Sequence, residues 1–169
     1  MPFHGDFDMK LGGLSEHIRQ FVTLTLAAFP EWASALEIAG AGDDSDDENC
    51  WFCIVPPKCP THRLYVATRG NSVEVRYDDG KPPGPAEQTF IDLDQSAPAV
   101  AEAVVAFVRD VMSGRVVVVR ERLGMFARWI RPGCESLAWF RKATELEGRR
   151  SWTFAAVYRW EAEHSGVSR

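Results

Sequence analysis

Leu64-Tyr65-Val66-Ala67-Thr68-Arg69-Gly70-Asn71-Ser72-Val73-Glu74-Val75-Arg76-Tyr77-Asp78 is the stretch that decides the fold. Leu64 to Thr68 is rich in strand-forming residues, and Gly70-Asn71 supplies the positive backbone angles a two-residue turn requires. On the return, Val73, Val75 and Tyr77 alternate with Glu74, Arg76 and Asp78, the period of a strand with one buried and one wet face. The segment predicts a β-hairpin.

The hairpin is the first part of a block from His62 to Leu123. Gly80 to Pro85 is a stiff loop, and Gln88 to Leu93 restarts a strand. Ser96 caps a helix with Pro98 in its first turn, whose apolar stripe is Val100, Val104, Phe107, Val108 and Val111. Ser113-Gly114 stops it. Val116 to Val119 is four valines, too β-branched for a comfortable helix, and predicts a central strand.

Before the block, Ser15 stands as an N-cap for an amphipathic helix through Ile18, Phe21, Val22, Thr25, Ala28 and Phe29. Pro30 opens a second helical segment with Trp32, Ala35, Leu36 and Ala39 on its buried side and Gly40 as its stop. Cys50 to Val55, bounded by Pro56-Pro57, predicts a strand buried on both faces. After the block, Met125 to Ile130 reads as a strand and Glu135 to Leu146 as a helix. Trp152 to Trp160 alternates as a closing strand.

Adjacent strands interrupted by single helices predict an α+β fold, a mostly antiparallel sheet with helices on one face. At 169 residues and 46% hydrophobic content the chain fits one domain, residues 1–169. Within it, 1–49 is a helical segment with an acidic loop, 50–160 holds the sheet and helices, and 161–169 is a tail. No run approaches the roughly 20 apolar residues of a membrane span, and Asp6 and Asp8 interrupt any secretory leader, so the expected location is cytoplasmic.

The formal net charge of −5 conceals an asymmetry. Met1 to Met112 holds 8 basic against 18 acidic residues, a net of −10, whereas Ser113 to Arg169 holds 11 against 6, a net of +5. The later arginines, among them Arg115, Arg120, Arg122 and Arg141, spread over several elements and fill no nucleic-acid motif; solvated faces and internal pairing account for them.

The chemistry-bearing residues form no catalytic or metal signature. Cys50 and Cys53 have the spacing of a zinc half-site, but on one strand that spacing sends them to opposite faces. Asp43 to Asn49 resembles the start of a calcium loop, yet Glu48 stands at the sixth place and Ile54 at the twelfth. Gly133-Cys134-Glu135-Ser136 is no nucleophile elbow, and His4, His17, His62 and His164 are scattered. Asp78-Asp79 and the pair Asp92 and Asp94 read as ordinary turn and strand-face residues. No cofactor, metal site or catalytic residue is therefore expected.

Two features have a binding reading. Asp43, Asp44, Asp46, Asp47 and Glu48 form an acidic run that is either a solvated loop or a contact surface for a basic protein partner. Trp152 and Trp160 share one face of the closing strand, and are core or, if that face is open, an aromatic anchor for a partner.

The strand Arg63 to Thr68, its return Val73 to Asp78, the helix leading to Ser113-Gly114 with its valine strand, and Arg150-Ser151-Trp152 together resemble small bacterial proteins of the polymorphic-toxin immunity type. The resemblance covers about residues 50 to 160 and rests on pattern. Members often carry His-x-His-Phe where this chain has Glu87-Gln88-Thr89-Phe90, so no role for those histidines carries over. It implies a non-catalytic binder that blocks a cognate toxin. The alternatives are a small enzyme or ligand-binding domain with a dispersed site, and a structural homo-oligomer; the sequence leaves the oligomeric state open.

Overall fold

A computed structural model describes residues 11–39, 50–81, 84–122, 136–147 and 154–160. Helix α1, Glu16–Ala28, follows Ser15, whose Oγ lies 3.2 Å from His17 Nε2. It buries Ile18, Phe21, Val22 and Thr25, the face that the 3.6-residue period selects. Pro30–Ala35 is a short 3₁₀ helix with Trp32 buried, its ring stacked on Phe29 at 4.4 Å and tilted against Phe52 at 5.7 Å.

The expected second helical segment stops there. Leu36–Ile38 is instead strand β1, pairing antiparallel with β2, Cys50–Ile54, in the register Leu36↔Phe52 and Ile38↔Cys50. A short segment takes its conformation from the ladder available to it, and that outweighs the helical spacing. β2 is not buried on both faces: Cys50 and Phe52 are buried, whereas Trp51, Cys53 and Ile54 are only partly covered.

The hairpin forms as expected from β3, Arg63–Arg69, and β4, Ser72–Asp78, joined at Gly70-Asn71 with Gly70 at φ 56°. Leu64, Val66, Val73, Val75 and Tyr77 are buried, and Glu74 departs from the alternation by being buried as well, 3.7 Å from Arg69 Nη1. β5, Ala86–Phe90, starts and ends earlier than the sequence reading. It completes an antiparallel five-stranded sheet ordered β1-β2-β3-β4-β5.

Helix α2, Ala97–Met112, buries Val100, Val104, Val108 and Val111, as the stripe requires. Gly114 at φ 74° ends it, its N–H donating to the carbonyl of Val111. β6, Val116–Arg122, is then the central strand of a second, three-stranded sheet ordered β7-β6-β8, with β7 at Ser136–Lys142 and β8 at Phe154–Tyr158. The strands thus divide between two sheets, where the sequence suggested one.

β7 overturns the helix expected over Glu135 to Leu146. Its seven residues pair in uninterrupted antiparallel register with β6, from Arg122↔Ser136 to Val116↔Lys142. Only Ala143–Leu146 is helical, as a 3₁₀ turn. Leu137, Phe140 and Ala143 fit a helical period, but Trp139-Phe140 also have high strand propensity, and a seven-residue ladder with β6, which opens on four valines, decides between them. The strand expected at Met125 to Ile130 lies outside the described residues.

Two compact units emerge, one from residues within Met1–Cys53, Val66–Glu74 and Thr89–Val105, the other from residues within Ile54–Tyr65, Val75–Gln88 and Ala106–Arg169. No helix among the described residues is long and apolar enough to cross a membrane.

Candidate functional site

The second unit contains a buried polar centre, and it begins with a rule of strand geometry. Along β6 the side chains of Val116, Val118 and Arg120 share one face, so the alternation that buries two valines also buries an arginine. Arg120 is 2% exposed. A buried guanidinium requires a counter-charge and acceptors. Asp79, one residue past β4, supplies the charge: Arg120 Nε donates to Asp79 Oδ2 at 2.5 Å, and Nη2 donates to Oδ1.

The loop after β4 then folds round the guanidinium. Nη2 also donates to the carbonyl of Lys81 at 2.8 Å and of Gly84 at 3.3 Å. Asp79 Oδ1 accepts from the Lys81 N–H at 3.1 Å, and Asp78 Oδ1 from the Gly80 N–H at 2.8 Å. Gly80 at φ 72° and Gly84 at φ 146° are the two positions where the turn needs glycine. The register of β6 against β8 shifts between Arg120 and Glu121, a bulge of the kind that re-aims a strand residue.

Tyrosines and a histidine adjoin this pair. The Tyr158 hydroxyl donates to Asp79 and accepts from Lys81 Nζ at 3.1 Å, the ammonium lying 5.7 Å from the ring centroid. His62 Nδ1 lies 2.9 Å from the Tyr77 hydroxyl, and its ring meets Tyr77 and Tyr158 edge-on at 5.5 and 4.9 Å. The turn that presents His62 is closed by its own N–H donating to the Cys59 carbonyl at 2.9 Å.

Electrostatics fix the charges of the centre. Burial alone would raise the Asp79 carboxyl, but hydrogen bonds from Arg120 and Tyr158 and the guanidinium charge hold it below the usual carboxylate range. The bond to Asp79 raises Arg120 further. Burial raises Tyr77, with Cys59, Asp79 and Tyr158 adding to it, and burial raises Tyr158 against the opposing bond from Lys81. Each shift moves its group away from neutrality, whereas a general acid or base works best when poised near it.

Of the described cysteines, Cys50 and Cys59 are buried and Cys53 is half-buried. Cys50 is 1% exposed, its Sγ 3.4 Å from Thr68 Oγ1, and burial pushes its thiol up to about 11. Cys50, Cys53 and Cys59 are free thiols. Among the described residues, no three His, Cys, Asp or Glu side chains gather as a metal site.

Of the residues singled out for binding, Asp43, Asp44, Asp46, Asp47, Glu48 and Trp152 lie outside the described residues. Trp160 is 5% exposed, the core alternative of the two held for it. Asp79 is not the ordinary turn residue it resembles in sequence but the buried partner of Arg120. The signal that could have found it is an arginine continuing the inward face of a strand that opens on four valines. A second overlooked residue is Trp139 on β7, 43% exposed, with Arg141 Cζ 5.9 Å from its ring and Arg141 Nε 3.8 Å from Glu121.

No family model, curated protein or solved structure matches the chain.

Proposed function

We propose that the chain is a cytoplasmic, non-catalytic protein-binding module, and that it acts in the manner of an immunity protein by occupying a cognate bacterial toxin. The observation that carries this reading is that the buried Arg120 guanidinium and Asp79 carboxylate are bonded to each other and to groups of their own chain. Arg120, the side chain best suited to hold an anionic substrate, spends its bonds on Asp79 and on two carbonyls of its own chain. Asp79 in turn is committed to Arg120, Tyr158 and the Lys81 N–H. The centre fastens the loop after β4 to the second sheet, which is the work of a scaffold.

The acidic first part of the chain supports a basic partner. A net of −10 over Met1 to Met112, concentrated at Asp43, Asp44, Asp46, Asp47 and Glu48, would accelerate encounter with a positively charged protein by long-range attraction. The test is affinity capture of the tagged chain from its source cell, followed by binding kinetics with the captured protein at low and high salt. A stoichiometric basic partner, with an association rate that falls on reversing the five acidic charges, supports the reading. An unchanged rate at low salt removes the acidic run from it, and a chain that captures nothing overturns it.

A further inference from the structure

We draw no further inference here: the strongest candidate, the surface turn between β5 and α2 where Ile91 stands 64% exposed beside Asp92 at φ 66°, carries none because nothing in the structure shows what covers it.

Discussion

Replacing Arg120 by methionine removes the centre of the second unit's polar network while keeping a side chain of similar length. The guanidinium donates twice to Asp79 and also to the carbonyls of Lys81 and Gly84. Its loss leaves the Asp79 carboxylate, also 2% exposed, with the Tyr158 hydroxyl and the Lys81 N–H but without its counter-charge. Breaking one side of such a pair costs about 3–5 kcal/mol, a large part of the roughly 5–15 kcal/mol that holds a domain folded. Replacing both partners, Arg120→Met with Asp79→Leu, removes the stranded charge. What remains is the loss of partners for two carbonyls, about 1 kcal/mol each. Equilibrium urea denaturation of the wild type, both single variants and the double variant should therefore show a coupling of at least ~2 kcal/mol, with the double variant more stable than Arg120→Met alone. A single-variant loss under about 1 kcal/mol, or additive losses, would refute the view that this pair fastens the loop to the sheet.

Three further outcomes follow from the same geometry. The folded-state pKa of Tyr77 is raised above its unfolded value, so its contribution to stability is complete below about pH 10 and is lost as pH rises beyond it; alkaline titration followed by circular dichroism should show Tyr77→Phe losing less stability across that range than the wild type, even though it starts lower for want of the bond to His62. Asp79 has the opposite sign: its lowered pKa stabilises the fold above about pH 4 and the contribution disappears as pH falls through the folded value, so Asp79→Asn should flatten the acid limb of the stability profile measured by denaturation at successive pH values. Gly114→Ala should cost about 1 kcal/mol, because φ 74° is unfavourable for a side chain although nothing lies within 4 Å of the added Cβ; a neutral result in thermal melts would show that the helix end relaxes freely.

The sequence disclosed those elements whose local chemistry and tertiary partners agree. Gly70-Asn71 specifies its hairpin, and the stripe Val100, Val104 and Val108 specifies α2, because turn geometry and helical period each leave one arrangement. Leu36–Ile38 and Ser136–Lys142 were misread for one physical reason. Their apolar spacing admits a helix, and the partner that makes each of them a strand, Cys50–Phe52 in one case and β6 in the other, is remote in sequence. The polar centre was partly legible. Arg120 after four valines announces a buried charge, but its partner lies 41 residues away in the stretch Asp78-Asp79-Gly80, which is indistinguishable from an exposed turn until the loop closes over the guanidinium. Trp139 stayed hidden because a helix places it differently from a strand.

Native mass spectrometry of the chain purified gently from its source cell tests most directly the proposal that it works by binding another protein. The expected result is a complex of fixed stoichiometry with one basic protein, dissociated by salt and weakened by reversal of Asp43, Asp44, Asp46, Asp47 and Glu48. A chain that emerges without any other protein, at low salt and at native abundance, would contradict it.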